Sequence, residues 1–261
     1  MKVQEAAELY MQRDNSVMIS LRGLILMNNF AKIRISLLVA FISLLGFLPE
    51  VNAQGTQAPT ISKMYGEIAL QTNYVDRGLT QSNKSMSIDA GVGYWFGGQG
   101  RIGFNATSVS FVNESANSEI RAFGEYKFVF SGNSDLKLRN DVIRYFSEDK
   151  RNNTLITLDQ NFFGYHLLFK RDDNFEGTKT HRNWFGFHRD WPLGTSVQLN
   201  TTFGYSILEI AGFNNYFDSR VGLSYLTSNL TLSLIGTTTS APSQFNGTAD
   251  TFVFFVVAAK F

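Results

Sequence analysis

From Tyr65 to its last residue the chain alternates apolar and polar side chains in successive stretches of about ten to fourteen residues. Successive side chains of a strand point to opposite faces, so each stretch is a ribbon with one apolar and one polar face. Met86, Ile88, Ala90, Val92, Tyr94 and Phe96 oppose Ser85, Ser87, Asp89, Gly91 and Gly93. Ile120, Ala122, Tyr126, Phe128 and Phe130 oppose Glu119, Arg121, Glu125 and Lys127. Val197, Leu199, Thr201, Phe203, Tyr205 and Ile207 oppose Ser196, Gln198, Asn200, Thr202 and Ser206. Two architectures use such ribbons. A soluble sandwich turns the apolar faces inward, and a transmembrane barrel turns them out to lipid around a polar lumen.

Three features favour the barrel. The stretches exceed the five or six residues of a usual globular strand and are long enough to cross a bilayer when tilted. The breaks between them alternate in length. Gly97–Gly100, Ser131–Ser134, Trp191–Gly194 and Thr227–Asn229 are tight, whereas those near 78–84, 112–117, 172–179 and 241–249 are long. Short periplasmic turns and long outer loops produce this asymmetry. Tyr, Phe and Trp recur towards the ends of the stretches, as interfacial girdles require. The four prolines, Pro49, Pro59, Pro192 and Pro242, all fall outside strand interiors, where proline would remove a ladder hydrogen bond.

The N-terminus reads as a targeting segment. Ile35 to Leu48 carries no charge over fourteen residues, Lys32 and Arg34 precede it, and Val51-Asn52-Ala53 follows it. A basic start, an apolar run too short to span a bilayer and a small-x-Ala exit are the parts of a secretory signal peptide. Residues 1–53 are therefore expected to be a cleaved signal, with Met27 a plausible true start. Residues 54–63 are expected to form a flexible periplasmic leader, and 64–261 the barrel. Beyond Ala53, 18 Lys and Arg balance 18 Asp and Glu. Such neutrality gives no support for nucleic-acid binding. The absence of cysteine excludes disulfides, thiolate-ligated metals and a thiol nucleophile.

The chain ends TFVFFVVAAKF, with Val253, Phe255, Val257, Ala259 and Phe261 at every second position. A terminal strand of this kind ending in Phe261 resembles the assembly signal that outer-membrane barrels present to their insertion machinery. Both termini of such a barrel lie on one side, so the strand number is even. The preferred partition is an all-β, antiparallel up-and-down transmembrane barrel of twelve strands: 65–77, 85–96, 100–111, 118–130, 134–146, 152–158, 161–171, 180–190, 195–208, 215–226, 229–240 and 250–261. The sixth alternates poorly. Ten strands with one long irregular loop is the alternative.

One run carries a resemblance. Asn73-Tyr74-Val75-Asp76-Arg77-Gly78-Leu79-Thr80-Gln81-Ser82, followed by Asp89-Ala90-Gly91-Val92-Gly93-Tyr94 and Gly103-Phe104, resembles the N-terminal region of the TorF-like porins of proteobacteria. The likeness spans Gly66 to Val109, about a fifth of the chain after Ala53. It departs at Asn105-Ala106-Thr107-Ser108-Val109, where that family often has a Trp and Ser-Asn-Val. It implies an outer-membrane location and a pore for small solutes.

Strand parity sends both signs of charge to the lumen. The expected wall comprises Arg77, Arg101, Arg121, Lys127, Lys137, Arg139, Lys170, Arg182 and Arg220 with Glu67, Asp89, Glu119, Glu125, Asp141, Asp190 and Asp218. Unpaired charges are costly to remove from water, so ladders of ion pairs are expected. Arg77, Arg101, Glu119, Arg121, Glu125, Lys127, Lys137, Arg139 and Asp141 are the candidate selectivity residues. Arg121, Lys127, Lys137 and Arg139 form the densest basic group. Arg77 is placed on the lumen face near the outer end of the first strand.

Catalysis finds less support. A lipid-hydrolysing barrel needs a nucleophile, a histidine base and an orienting residue at the membrane surface. His166, His181 and His188 accompany no recognisable nucleophile motif, and their spacing makes a poor zinc site. His166 and His188 could share the lumen on neighbouring strands. No cofactor and no metal is implied. The expected partners are outer-membrane lipid, the barrel-assembly machinery and small hydrophilic solutes. The expected function is passive diffusion through the lumen, with a non-conducting structural or surface-binding barrel as the alternative and a lipid-modifying enzyme third.

Overall fold

A computed structural model describes residues 62–261 apart from 112, 113, 148 and 246. The expected signal peptide and nearly all of the expected leader lie outside the described residues. The strands are β1 (Lys63–Gln71), β2 (Val75–Asp76), β3 (Leu79–Thr80), β4 (Ser87–Phe96), β5 (Gly100–Ser108), β6 (Ser118–Ser131) and β7 (Ser134–Phe146). They continue with β8 (Asn153–Phe162), β9 (Tyr165–Asp172), β10 (Arg182–Pro192), β11 (Val197–Leu208), β12 (Tyr216–Leu226), β13 (Leu230–Thr239) and β14 (Phe252–Lys260). All except β2 and β3 join one antiparallel barrel, closed where β1 pairs with β14 from Glu67↔Lys260 to Gln71↔Val256. Twelve strands therefore form the wall. Closure leaves no sheet edge unpaired, which a lipid environment demands of any spanning sheet.

Apolar side chains face out. Ile68, Leu70, Val92, Phe104, Phe203, Val221, Leu223, Leu234 and Val253 are all exposed on the barrel's surface. Phe96, Tyr126, Phe128, Phe162, Tyr165 and Trp191, near the short turns, supply one aromatic girdle. Arg189 lies between Tyr165 and Trp191, 3.7 and 4.2 Å from their ring centroids. An arginine there keeps its charge at the interface while its stem stays on the apolar band. The tight connections at 97–99, 132–133, 163–164, 193–196 and 227–229 lie at the end where the barrel begins at Lys63 and finishes at Lys260.

Several strand boundaries differ from expectation by a few residues, the seventh strand for example starting at Tyr165 and not 161, and two of the differences have a clear cause. The first strand was expected over 65–77 but leaves the wall after Gln71. The alternation continues as far as Tyr74, after which the chain enters a second hairpin, β2–β3, which is itself strand-like. A period of two does not distinguish a strand of the wall from a strand inside it. The sixth wall strand was expected over 152–158 and runs over Asn153–Phe162 as β8. Its pattern is weak because Gln160 occupies an outward position near the turn. There its Nε2 donates to the carbonyls of Asp135 and Asn161 at 3.1 and 2.9 Å.

Candidate functional site: a charged lumen closed by an inner hairpin

The lumen face of β5–β8 is a ladder of ion pairs. Arg101 on β5 meets Glu125 on β6 at 2.9 Å, directly across the register. Arg121 meets Glu119 at 2.7 Å and Arg139 meets Asp141 at 2.6 Å, each two residues along its own strand and on the same face. Lys127 and Lys137 stand directly opposite each other in the β6–β7 register. Like charges so placed repel. Asp135 takes Lys127 at 3.3 Å, and Asp159 takes Lys137 at 2.7 Å. The ring of Phe123 lies between two of the cations, with Arg139 3.9 Å and Arg101 5.3 Å from its centroid.

The structure thus brings together Arg101, Glu119, Arg121, Glu125, Lys127, Lys137, Arg139 and Asp141 on one wall. The basic group singled out from sequence is matched carboxylate for cation. Asp135 and Asp159, which complete the ladder, share the lumen parity of their strands and could have been found by the same rule.

Arg77 stands elsewhere than expected. It is not on the first wall strand. It forms, with Gly78, the two-residue turn of the β2–β3 hairpin, which folds back into the lumen between β1 and β4. Both residues have positive φ, 48° and 79°, the pattern of a type I′ hairpin turn. A side chain added at Gly78 would lie 3.0 Å from the Asp218 Cβ and 3.2 Å from the Thr239 Cβ, so the turn is pressed against the wall.

The hairpin is held at three apolar points. Val75 packs with Ile235, Phe252 and Phe254 on β13–β14. Leu79 joins Phe175, Leu208, Tyr216, Phe245 and Ala249 at the outer end. Tyr74 packs against the cluster of Val109, Phe111, Ala116, Ile143, Tyr145 and Leu155. Backbone bonds add to this, from Thr80 N–H to the Thr248 carbonyl at 2.7 Å and from Ser110 N–H to the Gln81 carbonyl at 2.9 Å.

The polar tip is a four-membered charge network. Arg77 meets Asp76 at 2.6 Å and Asp172 of β9 at 3.0 Å. Arg182 of β10 meets Asp172 at 2.6 Å and Asp76 at 3.6 Å. The Tyr216 hydroxyl donates to the Arg77 carbonyl at 3.2 Å. Burial disfavours the charged form of Asp76, but the neighbouring Arg77, Lys170 and Arg182 outweigh it and hold the carboxyl well below the usual carboxylate range. Over the hairpin, Arg151 binds Glu114 and Glu176, tying three outer segments together.

Two spaces flank the hairpin. Towards β6–β9, a polar crevice of about 30 Å³ is lined by Tyr74, Arg77, Glu119, Arg121, Tyr145 and Arg182, among others. That is room for a water or two. Towards β9–β14, a chamber of about 410 Å³ runs beneath Asp76, Arg77 and Gly78. Lys170, Trp184, His188, Asp190, Thr202, Asp218 and Arg220 face it.

His166 and His188 do share the lumen. They are register partners on β9 and β10 with ring centroids 5.6 Å apart. Asp159 takes His166 at 2.7 Å, and Thr202 takes the His188 Nδ1 at 3.0 Å. Among the described residues no group of three or more His, Asp or Glu is placed to hold a metal.

A closed barrel of twelve antiparallel strands, with an apolar exterior and a charged lumen, is the fold of an outer-membrane β-barrel. The chain is similar to a solved NanC porin, with a TM-score of 0.54 at 5% identity over 76% of this chain and 99% of that one. It is also similar to a KdgM porin in complex with disordered oligogalacturonate, with a TM-score of 0.49 at 10% identity over 77% and 98%. At such identities the likeness is one of fold. No protein-family model matches the sequence, and no curated protein matches it.

Proposed function

We propose that the protein is a channel of the bacterial outer membrane that passes small hydrophilic solutes, with the β2–β3 hairpin as its constriction. The carrying observation is the chamber of about 410 Å³ inside a closed barrel, roofed by Asp76, Arg77 and Gly78. Ion pairing supports passive passage over tight capture, because the β5–β8 ladder leaves no large single-signed field on that wall. Export by the N-terminal signal and insertion through the terminal Phe261 belong to the same proposal. Phe261 supports its part in closure. Its backbone exchanges hydrogen bonds with Gly66 at 2.8 and 3.0 Å, and its ring lies where a Gly66 side chain would be.

One observation favours a second reading, a barrel silent at rest. The crevice of about 30 Å³ beside the hairpin admits water but no sugar or amino acid, so solute passage on that side requires the hairpin to shift. Planar-bilayer recording on folded protein tests both readings. Discrete steps of reproducible size, altered in ion preference by Lys137→Glu, establish an open lumen. A silent bilayer with demonstrably folded protein selects the plugged barrel.

A further inference from the structure

Glu67 and Asp89 on the β1–β4 side of the lumen are met by the neutral donors Asn105 and Thr107, but lumen cations are left unpaired in the chamber. Among the described residues, Lys170 and Arg220 face it without a carboxylate within 4.0 Å. Lys170 rests over Trp184 at 5.2 Å and Arg220 over Phe254 at 5.7 Å. The chamber's two wall carboxylates are likewise without a cationic partner from Lys or Arg. Asp218 accepts from the Trp184 indole N–H at 2.7 Å. Asp190 accepts from the Asn200 amide at 2.6 Å and lies 3.2 Å from the His188 Nε2. Asp76, at the roof, is already shared between Arg77 and Arg182.

The strand register places these groups. Asp218 and Arg220 are two residues apart on β12, both facing the chamber, so their Cβ atoms are about 7 Å apart. Such neighbours usually close on each other, as Arg121 with Glu119 and Arg139 with Asp141 do on β6 and β7. Here they do not. Trp184 turns the carboxylate one way, and Phe254 draws the guanidinium another. Trp184 is fixed in that role. It lies over Gly186 and Gly204, where an added Cβ would come within 2.0 and 2.2 Å of the indole. The result is an exposed cation and a largely buried carboxylate that line the same space without closing on each other, with Lys170 and Asp190 as a further separated cation and anion.

We propose that this chamber is a binding site for a small zwitterion of the α-amino acid class, whose carboxylate is taken by Arg220 and whose ammonium is taken by Asp218. A ligand carrying both signs satisfies both groups at once. A simple anion leaves Asp218 facing it, and a simple cation leaves Arg220. The volume of about 410 Å³ accommodates an amino acid with water around it. The proposal deepens the channel reading, since a solute in transit would occupy this chamber.

The test is calorimetric titration of the folded protein, purified from membranes in detergent, with alanine, propionate and ethylamine. Alanine, carrying both charges, is expected to bind in the millimolar range, with propionate and ethylamine at least tenfold weaker. Equal binding of propionate and alanine, or no binding of alanine, overturns the proposal without recourse to any variant. Arg220→Gln and Asp218→Asn are each expected to weaken alanine at least tenfold. The asparagine keeps an oxygen for the Trp184 N–H, so the platform survives. Unchanged alanine affinity in both folded variants also overturns the site. Bilayer recording separates the two proposals. A conducting barrel that binds no alanine keeps the channel and loses the site, whereas a silent barrel that binds alanine keeps the site and loses the channel.

Discussion

Replacing Arg77 with alanine should unlatch the hairpin. Arg77 is almost fully buried, with 6% of its side chain exposed, and so is its partner Asp172 at 3%. Removing one member of a buried pair costs about 3–5 kcal/mol, because the other charge loses its compensation. Arg182 still holds Asp172 at 2.6 Å and approaches Asp76 at 3.6 Å, so the lower end applies. About 3 kcal/mol changes the ratio of docked to released hairpin roughly 100-fold. The three apolar contacts of Tyr74, Val75 and Leu79 remain, so the hairpin should loosen without the barrel unfolding. Single-channel recording should show longer open times or a larger unitary conductance in the folded variant. Hydrogen exchange of residues 72–86 should speed up in parallel. Faster exchange with unchanged conductance would refute the assignment of the hairpin as the constriction. Unchanged exchange would refute the energetic argument itself.

Gly186→Ala and Gly204→Ala should each displace Trp184, since the new Cβ would come within 2.0 and 2.2 Å of its ring; a loss of about 1–3 kcal/mol is expected, read as a lowered urea midpoint with shifted tryptophan emission. Gly78→Ala should weaken the hairpin by about 1–2 kcal/mol, because alanine resists the left-handed backbone at φ 79°, and should raise hydrogen exchange across 72–86. Deleting Phe261 removes its two hydrogen bonds with Gly66 at the β1–β14 seam and should slow folding into lipid vesicles, followed by the mobility shift on unheated gels. The Asp76 carboxyl is held below its usual range in the folded protein. Its stabilising effect is therefore present above the unfolded value, near 3.9, and is lost only as pH falls through the depressed folded value. Hairpin protection, corrected for intrinsic exchange rates, should be the same at pH 7 and pH 5.

The matched ladder has a consequence for selectivity. Neutralising one member frees its partner, so Lys137→Gln acts on the lumen by exposing Asp159 as much as by removing a cation. His166 also touches Asp159, at 2.7 Å. Single substitutions on this wall therefore report on pairs and triads rather than on isolated residues.

Residues with a face to choose were legible from sequence. Alternation separated Phe104 and Val221, on lipid, from Asn105 and Arg220, on the lumen, because a strand's side chains must alternate and only one face can meet hydrocarbon. The same rule placed Lys170, Asp190, Asp218 and the pair His166 and His188 inside the barrel, and counted its twelve strands. What it could not supply was which lumen charges find one another. Asp218 and Arg220 have the same spacing as Glu119 and Arg121, yet only the second pair closes, and the difference lies in Trp184 and Phe254 on other strands. Nor could local pattern reveal that Tyr74-Val75 leaves the wall. Tyr74 has the lipid-facing parity of Ile68 and Leu70 and Val75 the opposite one, and only the tertiary structure supplies the inner clusters on β7–β8 and β13–β14 that take them. Direction along one strand is a local property of the backbone, whereas pairing across a barrel depends on closure, which brings together residues far apart in the chain.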